Sequence, residues 1–172
     1  DVYKRQPLTM QSFISPVFFA GDVNNTLTVL HEAADEGRIA GDNAGRFPDV
    51  REGRRRSPMT VVFTDPQMAE VGKTWNDLQG RDYVMGSVSF EGQGRSRVML
   101  QNRGRLHLYA EPGSGRLLGM EAIGPRSEHL AHLVAWSHQQ QLTVQQMLSM
   151  PFYHPVVEEG LRTALRSARD QL

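Results

Sequence analysis

Between Tyr83 and Gly124 the chain offers four short apolar stretches separated by little more than turns. They are YVMGSVSF (83–90), RVMLQ (97–101), RLHLYAE (105–111) and LLGMEAIG (117–124). In the first, Tyr83, Met85, Ser87 and Ser89 alternate with Val84, Gly86, Val88 and Phe90, the period-2 pattern of a strand with two unlike faces. The separators NRG and PGSG are turn chemistry, with glycine supplying positive φ. Strands spaced this closely predict an antiparallel meander. TVVF (60–63) reads as a further buried strand, and DPQMAEVGKT as a turn leading into another extended piece.

Helical patterns close the chain. SEHLAHLVAWSHQQQ (127–141) places Leu130, Leu133 and Val134 on one face, with Ser127 as candidate N-cap. LTVQQMLSM predicts a short helix from about Thr143. EEGLRTALRSARD (158–170) places Leu161, Ala164, Leu165 and Ala168 at amphipathic spacing. The expected class is α+β, an antiparallel sheet with helices packed on one face.

The amino-terminal part reads differently. ISPVFFAGD predicts a short strand ending in Gly21 and Asp22. Thr26 and Thr28 are candidate N-caps for a helix in VLHEAADEGRIAGDNA. Gly37 inside that helix costs about 1 kcal/mol relative to alanine, so either its lack of a side chain is needed or the helix pauses there. Strand, Gly-Asp turn and helix are the build of a nucleotide-binding edge. Residues 46–57 read as a linker, and the Arg51–Arg56 run within them as a solvated loop, since Glu52 and Gly53 interrupt it and no aromatics interleave. DVYKRQ has no apolar h-region of a signal peptide and resembles translated adaptor sequence, so residues 1–6 are set outside fold reasoning. The expected organisation is 7–45, then the linker 46–57, then 58–172.

Nineteen basic residues balance nineteen acidic ones, which gives no argument for a nucleic-acid partner. No apolar run reaches the ~18 residues of a membrane span. The 172 residues include no cysteine, which removes disulfides, thiolate metal ligands and cysteine nucleophiles and fits a cytoplasmic chain. No metal site is expected: His129 and His132 lie three apart without an acidic or histidine partner motif.

The chemistry concentrates in PFYHPVVEEG (151–160). Pro155 disfavours the α region for His154, and a helix beginning near Val156 puts Glu159 in its first turn. The five-residue offset lets Glu159 fold back onto the His154 ring. A carboxylate on one ring nitrogen fixes the tautomer and leaves the other nitrogen to take a proton. The same spacing also fits a loop histidine beside a helix whose first turn is acidic for capping.

Four stretches in order resemble the carboxyl-terminal part of the flavin-dependent pyridine nucleotide–disulfide oxidoreductases, most closely the dihydrolipoamide dehydrogenases among them. FFAGDVNNTLTVLHEAADEG is similar to the second FAD-binding motif, and MTVVFTDPQMAEVG to the entry of the dimerisation domain. GRSRVMLQNRGRLHLYAEPGSGRLLGMEAIGPRSEHL and LTVQQMLSMPFYHPVVEEGLRTAL are similar to its body and end. The resemblance covers nearly all of residues 14–168. It implies that residues 7–45 are the end of an FAD-binding domain and 58–172 a dimerisation domain. It assigns FAD binding to Gly21, Asp22, Thr28, Val29, Leu30, His31 and Pro155, with Asp22 on the ribityl chain and residues 28–31 facing the flavin. His154 is the implied acid/base, reaching across a homodimer, with Glu159 orienting it. The implied reaction oxidises dihydrolipoamide with NAD through FAD and a redox disulfide. Its implied partner is a small-molecule or lipoyl-domain thiol, within a 2-oxoacid dehydrogenase complex.

Three departures stand out. Val156 replaces the family's threonine after His-Pro, which loses a hydroxyl. Thr28-Val29-Leu30-His31 stands where the family has Met-Leu-Ala-His, so backbone contacts to a flavin survive while side-chain contacts differ. The redox cysteine pair and the GxGxxG fingerprint of the family's amino-terminal part are absent. The chain is therefore expected to be a carboxyl-terminal fragment, inactive alone and retaining little FAD. Glutathione reductase shares the His-Pro…Glu pair and is the alternative within the family. Mercuric reductase is set aside for want of a terminal cysteine pair. A stand-alone dimerisation module without catalysis is the alternative outside it.

Overall fold

The computed structural model describes residues 8–172, so the DVYKRQ start lies outside the described residues. The described chain divides after Arg56 into two compact units.

The second unit is built on a five-stranded antiparallel sheet. Its strands are β1 (Met59–Val62), β2 (Gln67–Gly72), β3 (Val84–Ser89), β4 (Arg105–Ala110) and β5 (Leu117–Gly124), in spatial order β1-β2-β5-β4-β3. β3, β4 and β5 form the expected meander, and the β1–β2 hairpin joins the far edge of β5. The turns use their glycines as the sequence suggested: Gly104 sits at φ 107° before β4 and Gly113 at φ 75° in the β4–β5 turn.

Alternation gives the sheet two unlike faces. Ala69, Val71, Leu106, Leu108 and Met120 are buried under helices. With α1 (Leu30–Arg46) in the first unit and α2 (Gly94–Val98) between β3 and β4, those helices are α3 (Ser127–Gln139), α4 (Val144–Leu148) and α5 (Glu159–Arg169). α3 lies over β2 and β5, and α5 over β3 and β4. α5 buries Leu161, Ala164, Leu165 and Ala168, the stripe that its spacing predicts. Full burial of each leucine stabilises the domain by about 1.5–3 kcal/mol.

One contact brings α5 unusually close. A Cβ on Gly86 of β3 would overlap the Ala164 carbonyl oxygen and fall 2.8 Å from the Ala168 Cβ and backbone nitrogen. Glycine opposite two alanines lets helix backbone approach strand backbone directly. Phe90, fully buried, fills the next layer, where a Cβ on Gly160 would lie 3.1 Å from its ring.

Three sequence expectations fail in this unit. TVVF does form a strand, but not a buried one, since Val62 and Phe63 are 46% and 78% exposed. RVMLQ is not a strand: residues Gly94–Val98 form the short helix α2, capped by the Gln93 side chain, which accepts from Ser96 N at 2.7 Å. Val98 and Leu100 are 71% and 88% exposed, so the apolar run has no partner to pair with. Ser127 is the first residue of α3 rather than its cap, and its buried hydroxyl donates to the Gly124 carbonyl at 3.0 Å. Thr143 does cap α4, through a full capping box with Gln146.

The first unit packs Met10, Phe18 and Ala20 against Ile39 and Ala40 of α1 (Leu30–Arg46). The expected strand near Phe18 is reduced to a single bridge, Gln11 to Phe18. α1 runs unbroken through Gly37, and nothing lies within 4 Å of a Cβ built there, so no close approach explains that glycine. The Arg51–Arg56 run is not wholly solvated. Arg55 is 23% exposed and spans buried Glu32 and Glu36 at 2.8 and 3.0 Å, and Arg56 pairs with Asp35 at 3.3 Å. Three carboxylates buried on one helix need counter-ions, and the loop supplies them.

Gly86→Ala is expected to lower the stability of the second unit by about 1–3 kcal/mol, as over-packing does. Urea unfolding monitored by circular dichroism measures it, and an unchanged midpoint would count against the close seat.

Candidate acid/base pair and flavin-facing turn

His154 lies in the turn between α4 and α5, and Glu159 opens α5. The Glu159 carboxylate meets the ring through Nδ1, at 2.9 Å from Oε2 and 3.1 Å from Oε1. Nδ1 therefore carries the hydrogen that Glu159 accepts whenever that carboxylate is ionised. Nε2 points away, and the His154 side chain is 80% exposed while that of Glu159 is only 15% exposed. The carboxylate is tucked in and the imidazole projects.

The surroundings hold this arrangement. Val156 N donates to Glu159 Oε2 at 3.3 Å, and Arg162 donates to Oε1 at 2.7 Å. The Arg162 guanidinium lies over the Phe152 ring, 5.6 Å from its centroid. Gln93 donates to the Val156 carbonyl at 2.8 Å while its own oxygen caps α2, tying the turn to the body of the domain. The His154–Pro155 peptide is cis. Arg162 and Gln93 carry no role read from the sequence. Arg162 carried a signal, since a residue three after Glu159 on a helix is its neighbour.

The Glu159 carboxyl is held below its ordinary value of 4.5, first by the hydrogen bond from His154, with Val156 N–H and the Arg162 charge acting the same way against desolvation.

In the first unit the structure places Gly21 and Asp22 in a 3₁₀ turn, Gly21–Asn24. Glu36 anchors it from α1, accepting from Gly21 N at 2.8 Å and from Asn24 Nδ2. Asp22 is exposed, and none of the hydrogen bonds or ion pairs resolved among the described residues uses its carboxylate. α1 begins at Leu30 with Val29 as N-cap and no side-chain cap, so neither Thr26 nor Thr28 fills that role. Leu30 is 87% exposed and His31 is exposed beside it, with His31 Nε2 4.0 Å from Glu32 Oε1. An open helix N-terminus, an exposed carboxylate and an exposed apolar side chain suit a group with a hydroxylated chain and a flat, electron-rich ring. These residues fit FAD. Pro155 lies in the second unit, in the turn with His154.

The sheet face away from the helices is open and holds a groove of about 630 Å³ lined by Val62, Met68, Trp75, Met85 and Ile123. In it Tyr109 donates to Glu121 at 2.5 Å, and burial with that carboxylate pushes the phenol pKa up.

Residues 58–165 match the model of the pyridine nucleotide-disulphide oxidoreductase dimerisation domain. The chain belongs to this family. A dihydrolipoyl dehydrogenase of Halobacterium salinarum is 29% identical over 157 residues, 90% of this chain and 33% of that protein. A mercuric reductase of Shigella flexneri is 28% identical over 160 residues, 92% of this chain and 28% of that protein. The chain thus spans about a third of the family members it matches. Near-equal identity to both means that identity does not choose among the family's substrates. Among solved structures, LpdA from Mycobacterium tuberculosis aligns with a TM-score of 0.82 at 21% identity, over 99% of this chain and 37% of that one. The HOCl-induced flavoprotein disulfide reductase RclA from Escherichia coli aligns with a TM-score of 0.79 at 21% identity, over 96% and 38%. These two likenesses establish the fold of the family.

A carboxyl whose folded pKa is depressed contributes stability that is present above its unfolded value and lost as pH falls through the folded one. The stability difference between wild type and Glu159→Gln is therefore expected to shrink as pH falls from about 6 through 4.5 and below. Urea midpoints across that range check it. A difference that stays constant would mean that Glu159 ionisation is not linked to folding.

Proposed function

We propose that this chain is the carboxyl-terminal part of a flavoprotein disulfide oxidoreductase acting on a dithiol of the dihydrolipoamide class, with NAD as electron acceptor. In this reading residues 7–45 end an FAD-binding domain, 46–57 link, and 58–172 form the dimerisation domain of a homodimer. The observation that carries the reading is the 2.9 Å contact between His154 Nδ1 and Glu159, with the ring itself 80% exposed.

His154 Nε2 accepts the proton of a substrate thiol and so raises the share of thiolate, the nucleophilic form. Glu159 keeps the Nδ1–H tautomer and stabilises the imidazolium that results. The proton then returns from Nε2 to the departing sulfur. Because the ring projects from its own domain, it is suited to a thiol bound on the partner subunit. Asp22 and the open N-terminus of α1 hold FAD, which when bound supplies a two-electron relay between a redox disulfide and the nicotinamide. A lipoyl domain of a 2-oxoacid dehydrogenase complex is the corresponding macromolecular partner, in the cytoplasm.

The test uses the complete protein encoded by the gene. His154→Gln is expected to lower dihydrolipoamide:NAD⁺ turnover by about 10²–10⁴-fold, the range for a lost general acid/base, with the fold and flavin content retained. Turnover within twofold of wild type would refute the assignment. This 172-residue chain alone is expected to show neither that activity nor stoichiometric flavin.

A further inference from the structure

A glutamate in the first turn of a helix has rotamers that carry its carboxylate into solvent, and nothing in the His154–Glu159 spacing selects the one that faces the ring. Arg162 sits one turn further along α5 and donates to Glu159 Oε1 at 2.7 Å. Its guanidinium is in turn laid over Phe152, which packs against the hydrophobic core two residues before His154. The arginine therefore bridges α5 and the turn that carries the histidine. Arg162 thus holds Oε1 from the α5 side, and the carboxylate turns both oxygens to His154 Nδ1, Oε2 at 2.9 Å and Oε1 at 3.1 Å, with Val156 N on Oε2 at 3.3 Å. We propose that Arg162, stacked on Phe152, is the positioning residue that holds the Glu159 carboxylate against the His154 ring and so fixes which ring nitrogen faces out unprotonated.

The assignment rests on the acid/base reading above and adds a residue to it. A partly exposed ion pair one helical turn apart contributes little to stability by itself. Its effect here is orientational: loss of the arginine frees the carboxylate to rotate, and the ring then exchanges its hydrogen between Nδ1 and Nε2. A planar, stacked guanidinium is also not replaced by an ammonium, which has neither the fork nor the flat face.

The readout is the tautomer of His154, from long-range ¹H–¹⁵N spectra of this chain with the ring in its neutral form. Wild type is expected to show the Nδ1–H form alone. Arg162→Met is expected to show both forms in comparable share, Arg162→Lys to fall between, and Phe152→Leu to shift the same way by less. If a folded Arg162→Met keeps the wild-type tautomer, the assignment is overturned. If that variant does not fold, Arg162→Lys and Phe152→Leu decide in the same way, and unchanged spectra in both overturn it. In the complete protein Arg162→Met is expected to lower kcat about tenfold at unchanged KM, as misplacement of a reacting group does. A shifted tautomer together with a fully active His154→Gln would sink the acid/base reading while leaving the role of Arg162 in place.

Discussion

The seat of α5 on β3 governs the rest of the second unit. Gly86 lets the helix backbone come down onto the strand at Ala164 and Ala168. The depth and register of that seat fix where the helix begins, and its first residue is Glu159. Leu161 and Leu165 fill the space on either side, and Phe90 closes the layer beneath Gly160. A carboxylate that must meet a ring at hydrogen-bond distance tolerates little drift in its helix. The packing that supplies this precision is apolar and lies mainly below the site.

Where pattern and packing agree, the sequence was readable. The i, i+3, i+4, i+7 stripe of α5, the glycine turns before and after β4, and the five-residue offset that brings Glu159 within reach of His154 are all local. Each expresses backbone geometry over a few residues. What was not readable depends on partners distant in the chain. RVMLQ has strand-like residues, but an apolar run becomes a strand only if a neighbour pairs with it, and Val98 and Leu100 meet solvent instead. Gly86 looked like one small residue in an alternating strand, because nothing nearby announces that a helix backbone will arrive there. The arginine-rich loop looked solvated because its counter-ions, Glu32, Asp35 and Glu36, face it only once α1 has formed.

The two units share a habit of using charge to place backbone. Glu36, buried and answered by Arg55, reaches from α1 to the Gly21 amide and holds the 3₁₀ turn against the helix. Glu159, answered by Arg162, reaches the Val156 amide and the His154 ring. In each case a carboxylate paired with an arginine on one side is left with acceptor capacity on the other, and a turn is caught by it. Such an arrangement costs desolvation but removes freedom from a segment that has no regular secondary structure of its own.

His154 stands out from its domain while everything that orients it is held back. On the proposed reading, a dimer formed from one copy lacking His154 and another lacking its redox disulfide still contains one whole site, because each copy contributes the half that it kept. Mixed expression of two differently damaged genes would then restore activity that neither restores alone. On that reading the projection of one imidazole becomes a statement about inheritance, in which damage at the two ends of such a protein complements rather than adds.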